Sequence, residues 1–122
     1  MKPKKITLIG GAGFIGHNLA LALKKLGHQP TIIDSLSVNN MLSFTKSAIN
    51  NRKLYWTILN QRIDLLHENG IEINVEDARN YEGLCLQLHK INPDVIIHLA
   101  AVSHANISNK DPHSTFDHSL RT

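Results

Sequence analysis

Apolar positions along the chain change their period several times, and each change marks an element. Ile6-Thr-Leu-Ile9 is a short apolar run ending at glycines, the pattern of a strand buried in a parallel sheet. From Phe14 to Leu26 the apolar side chains Phe14, Ile15, Leu19, Leu21, Ala22, Leu23 and Leu26 follow helical spacing, and Gly27 supplies the stop. Pro30-Thr-Ile-Ile-Asp34 reads as a second strand, rich in β-branched residues and closed by an acid. After a polar loop from Ser35 to Asn40, helical spacing returns between about Ser43 and Glu68, as one helix or two in succession, and ends before Asn69-Gly70. Ile71-Glu-Ile-Asn-Val75 alternates strictly and predicts a third strand. Tyr81 to Ile91 predicts a helix closed by Asn92-Pro93, and Asp94-Val-Ile-Ile-His98 a fourth strand. A last helix is expected to begin near Asp111-Pro112, with Pro112 at a first position where its missing N–H costs nothing.

Strands alternating with helices of this length predict an α/β fold: a parallel sheet, covered on both faces and doubly wound in the Rossmann manner because crossovers are right-handed. The expected strand order is 3-2-1-4. A chain of 122 residues has room for one domain, since a single core serves roughly 100–150 residues.

Composition changes this picture little. A chain 42% hydrophobic and 19% charged can bury a core. Its net charge of +3 is scattered apart from Lys2, Lys4 and Lys5, too thin for a nucleic-acid footprint. No histidine pair has the spacing and partner of a zinc site, so no metal is expected. The single cysteine, Cys85, cannot form an internal disulfide, and in the run Leu84, Leu86, Leu88 it is expected to pack in the core. The N-terminus has no signal-peptide h-region and no window approaches a membrane span, so a cytoplasmic protein with no membrane partner is expected.

The candidate chemistry lies in Gly10-Gly-Ala-Gly-Phe-Ile-Gly16, where a strand passes into a helix. Gly10 permits the tight turn, Gly13 lets a pyrophosphate approach the backbone, and Gly16 lets the helix pack closely on the sheet. The helix opening at Phe14 presents bare N–H groups and the positive end of its dipole, which favours a diphosphate. No Gly-Lys-Ser/Thr follows, against an ATPase P-loop. Eighteen residues beyond Gly16, Asp34 ends the second strand where a carboxylate can accept from adenosine ribose hydroxyls. A carboxylate there repels a 2′-phosphate, and no arginine follows within the next few residues, so NAD is expected rather than NADP.

Together, Ile9-Gly-Gly-Ala-Gly-Phe-Ile-Gly16, Ile33-Asp34-Ser-Leu-Ser37, Glu76-Asp77-Ala-Arg79, Val95-Ile-Ile-His-Leu-Ala-Ala101 and Asp111-Pro112 resemble the NAD-dependent epimerase/dehydratase group of the extended short-chain dehydrogenase/reductases. The resemblance spans nearly the whole chain and implies roles. Gly10, Gly13, Phe14, Ile15 and Gly16 would face the pyrophosphate and Asp34 the adenosine ribose. Asp77 and Ala78 would lie against the adenine, and Leu99, Ala100 and Ala101 would line the passage to the nicotinamide ribose. From its position alone, Asp77 could equally cap the helix that follows it. His98 is expected to be structural.

Members of this group use a Tyr-x-x-x-Lys pair as acid/base. Here the fourth residue after Tyr55 is Leu59, and after Tyr81 it is Cys85. The resemblance therefore implies the cofactor-binding N-terminal portion of a longer protein, a nucleotide-sugar epimerase resembling UDP-glucose 4-epimerases and acting by transient hydride transfer. The chain by itself is expected to be inactive, and the whole protein to bind a nucleotide sugar and form a homo-oligomer. Alternatives are a nucleotide-sugar 4,6-dehydratase and a stand-alone NAD-binding module. A fourth strand left at a sheet edge would make the chain marginally stable and prone to self-association.

Overall fold

The computed structural model describes residues 2–37, 52–101 and 111–120, with backbone only at 52, 114 and 118–120. Its elements are β1 (Lys5–Ile9), α1 (Phe14–Lys25), β2 (Gln29–Asp34), α2 (Arg52–Glu68), β3 (Glu72–Val75), α3 (Tyr81–Ile91), β4 (Val95–His98) and α4 (Pro112–Leu120). All four strands run parallel in the order β3-β2-β1-β4, the expected order, with β4 at an edge. The part of the second predicted helix before Arg52, and the loop beyond Ser37, lie outside the described residues.

Local chemistry explains the element ends. Gly27 takes a φ of +86° after α1, and its N–H donates to the Lys24 carbonyl at 3.0 Å. α3 is capped by Asn80, whose side chain accepts from the Gly83 N–H at 3.3 Å, and it ends at Asn92 in the left-handed region. Pro112 opens α4, as its position in the sequence predicts.

Register shows where the core sits. Ile73, Ile32, Leu8 and Ile97 lie side by side across the sheet, and Ile6 pairs with Val95 next to them. This face packs against Ala20 of α1 and Leu66 of α2, and Ile32, Leu8, Ala20 and Leu66 are fully buried. α1 and α2 therefore cover one face tightly. The opposite face is mixed, with Thr7, Thr31 and Glu72 in one row, and no residue of α3 is fully buried against it.

Cys85 corrects an expectation: it is exposed. The partly buried positions of α3 are Gly83, Leu84, Gln87, Leu88 and Ile91, a stripe with helical spacing. Leu84 and Leu88 belong to it, whereas Cys85 and Leu86 turn away, so the apolar run is two faces of one helix rather than a single buried segment. Among the described residues no helix is long and apolar enough to cross a membrane.

These positions predict contrasting costs. Leu66→Ala, at a fully buried site, is expected to lower unfolding free energy by about 2–5 kcal/mol in urea titration. Cys85→Ser should leave it within about 0.5 kcal/mol.

Candidate functional site

The chain leaves β1 and enters α1 through backbone contacts too close for side chains. Gly10 has a φ of +77°, and a methyl group added there would lie 2.6 Å from the Ala100 backbone nitrogen. At Gly16 an added methyl would lie 2.5 Å from the Gly11 Cα and carbonyl oxygen. Gly11 in turn has Leu8 Cβ and Ile32 Cγ1 each 2.9 Å from its own missing methyl. α1 thus rests on the sheet through a glycine-on-glycine contact. Gly16 packs on Gly11 and Gly11 on the strands, an intermediary that the spacing of the other three glycines did not single out.

Gly13 is different in kind. It caps α1 in an extended conformation, φ −71° and ψ −179°, that any residue can adopt. A methyl there would come no closer than 3.7 Å to protein, at the Gly10 carbonyl oxygen. No side chain caps this helix, and its first turn holds no acid. The first turn of α1 therefore opens onto clear space bounded by main chain, with Phe14 and Ile15 at its rim, 73% and 68% exposed. Such a helix start attracts an anion.

The carboxyl ends of all four strands are knitted together beside this space. The Gly10 N–H donates to the Ile33 carbonyl at 2.8 Å, the Leu99 N–H to Ile9 at 2.7 Å, and the Glu76 N–H to Asp34 at 3.2 Å. Every residue named from the sequence, from Gly10 to Gly16 with Asp34, Asp77, Ala78, Leu99, Ala100 and Ala101, follows or ends a strand on this one edge, the edge where doubly wound sheets bind ligands.

Asp34 organises the edge. One carboxylate oxygen accepts the Ala12 N–H at 2.9 Å and the other the Leu36 N–H at 2.8 Å. The second bond holds Leu36 in the left-handed region at φ +56°, which a branched side chain seldom enters. Asp34 therefore fixes the glycine turn on one side and the loop after β2 on the other.

Asp77 is not the cap of α3, a role filled by Asn80. Its carboxylate takes the Arg79 fork, Nη2 to Oδ2 at 2.6 Å and Nε to Oδ1 at 3.0 Å. Arg79 also donates from Nη1 to Asp117 of α4 at 3.1 Å. The hydrogen bond to Asp77 is the main reason that the Arg79 pKa lies above its ordinary value. Tyr81 is 78% exposed, and its pKa is raised by a hydrogen bond with Cys85. That is the opposite direction from a tyrosine activated as a base.

Arg62 is a site residue that the sequence pattern did not single out. It comes from α2, fifty residues away, and its Nη1 donates to the Ala12 carbonyl at 3.2 Å. Burial lowers its pKa while the charge of Asp34 pulls the other way. The signal was present: Arg62 falls on the stripe of Leu59, Ile63 and Leu66, the one cation on the inward face of that helix among the described residues.

A sequence model described as the NAD dependent epimerase/dehydratase family matches residues 6–122. The chain belongs to that family. It is 31% identical over 98% of its length to a UDP-glucose 4-epimerase of Rhizobium meliloti (strain 1021), of which it covers 29%. Among solved structures it resembles the Thermus thermophilus UDP-glucose 4-epimerase complex with NAD, with a TM-score of 0.68 at 22% identity over 96% of this chain and 30% of that one. It also resembles the Stenotrophomonas maltophila UDP-glucose-4-epimerase with bound NAD and formylated UDP-arabinopyranose, with a TM-score of 0.69 at 23% identity over 94% of this chain and 30% of that one. At these identities the likeness establishes a shared fold. The chain spans about 30% of the length of the epimerases that it matches.

The glycine contacts yield a stability test within this family member. Gly16→Ala must displace the Gly11 main chain and is expected to cost about 1–3 kcal/mol. Gly13→Ser, at an open cap position, should stay within about 0.5 kcal/mol of the parent by the same urea titration.

Proposed function

We propose that this chain is the NAD-binding portion of a nucleotide-sugar epimerase resembling UDP-glucose 4-epimerases. The observation that carries the reading is Gly13. Its backbone conformation does not require glycine and its missing methyl meets no close protein atom, so the position is bare where a diphosphate would need main chain alone. The fit extends along the edge. The amides at the start of α1 would hold the pyrophosphate, with Gly10 and Gly16 shaping the turn that presents them and Phe14 and Ile15 at its rim. Asp34 keeps lone pairs beyond its two main-chain bonds for the ribose hydroxyls. Asp77, locked by Arg79, and Ala78 would face the adenine, and Leu99, Ala100 and Ala101 the nicotinamide ribose.

When bound, NAD supplies the hydride acceptor for oxidation at a sugar carbon. The part of this chain is to bind and orient it. The names of the relatives support a nucleotide sugar as the substrate of the whole protein, and Tyr-x-x-x-Lys does not occur in these 122 residues.

Calorimetric titration of the chain with NAD is expected to show saturable binding with a dissociation constant of about 0.1–1 mM. Gly13→Val, shown to be folded by circular dichroism, should weaken it by about tenfold or more. Equal affinity in the two proteins would sink the reading. Addition of UDP-glucose or UDP-galactose to the chain with NAD is expected to give no interconversion.

A further inference from the structure

The adenosine end of the site holds two opposite charges where the sequence shows one. Asp34 accepts the Ala12 N–H, and Arg62 donates to the carbonyl of the same residue. A single residue's main chain therefore bridges carboxylate and guanidinium, and their charges act on one another directly. Arg62 is held there by its helix, since Leu59 and Leu66 on the same stripe are buried. Asp34 alone would give the ribose end a net charge of −1. With Arg62 fixed beside it, the pair sums to zero, and an arginine remains protonated throughout the ordinary pH range.

We propose that Arg62 is a specificity-determining residue, which offsets the repulsion between Asp34 and a 2′-phosphate so that the site accepts a 2′-phosphorylated adenosine dinucleotide as well as an unphosphorylated one. The inference rests on the dinucleotide reading above and deepens it. Discrimination at this site is set by the difference between two nearby charges, one from the end of β2 and one from the middle of α2. An acid at the end of β2 excludes the phosphate only where nothing balances it. Because the pair carries no net charge, the preference between the two dinucleotides should depend only weakly on ionic strength.

The test is calorimetric titration of the 122-residue chain with NAD and with NADP, repeated with Arg62→Gln and Arg62→Lys. Glutamine keeps the stem and a donor for the Ala12 carbonyl but removes the charge, and lysine keeps the charge. The parent chain is expected to bind NADP within about tenfold of NAD, and Arg62→Gln to widen that ratio by a further tenfold or so. Arg62→Lys should hold the ratio near the parent value. A role confined to bracing the turn would weaken both dinucleotides equally and leave the ratio unmoved, which would overturn the proposal. A parent chain that binds NAD but rejects NADP by more than about a hundredfold would overturn it without any variant. Binding of neither dinucleotide by the parent would instead defeat the dinucleotide reading itself, and this inference with it.

Discussion

At the junction of β1 and α1, main chain lies against main chain with no room for a methyl group between. Gly16 sits on Gly11, Gly11 sits on Leu8 and Ile32, and Gly10 meets the backbone of Ala100. These approaches bring the first turn of α1 down onto the ends of β1 and β4, so that its bare amides face the edge where the strands finish. A single side chain at Gly16 or Gly11 would lift the helix by something close to the radius of a methyl group. The buried layer of Ala20, Leu8 and Ile32 beneath it would then lose contact, because close-packed interiors do not stretch. Core and site are held by the same contact.

The sheet divides its labour unevenly. The face under α1 and α2 carries the main cluster of buried apolar side chains among the described residues, while α3 covers the other face with only partly buried ones. The consequence falls on the site. The glycine turn, Asp34 and Arg62 are anchored to the tightly packed side through Ile32, Leu59 and Leu66, whereas Asp77 stands ahead of the looser helix. Its carboxylate is held by Arg79, which also pairs with Asp117 of α4. Partly exposed pairs of this kind contribute little to stability. The fork geometry fixes the direction of the Asp77 carboxylate all the same.

How much of this was legible in the sequence follows from the range of each interaction. Elements whose burial repeats with the period of a helix or strand were readable: α3 runs from Tyr81 to Ile91 as its pattern says, and the strand order is the one expected of a doubly wound sheet. Gly10, Gly13, Gly16 and Asp34 were readable because their spacing at a strand-to-helix junction is itself the signal, even though Gly10 meets Ala100 and Asp34 reaches back to Ala12. Cys85 misled because a short apolar run in a helix belongs to two faces, and only contact with the sheet shows which is inward. Gly11 hid among its neighbours, since its need for hydrogen in place of a side chain is set by how Leu8 and Ile32 meet in the folded sheet and by Gly16 packing on it. Arg62 could not be linked to Asp34 without the path that α2 takes back across the sheet.

This separation has a physical logic. Recognition of a diphosphate can be written locally, since one turn and one helix start supply the amides, the dipole and the clearance within seven residues. Recognition of the adenosine end draws on charges, and charge acts through space irrespective of where along the chain it originates. The field at the end of β2 is the sum over Asp34, Arg62 and the oriented main chain of Ala12 between them, which points its N–H at the carboxylate and its carbonyl at the guanidinium. Each of the three stabilises the next, so removing the arginine would do more than subtract a charge. With no donor in its place the carbonyl would be freed and the amide that Asp34 accepts loosened, leaving the carboxylate with its full charge and less constraint.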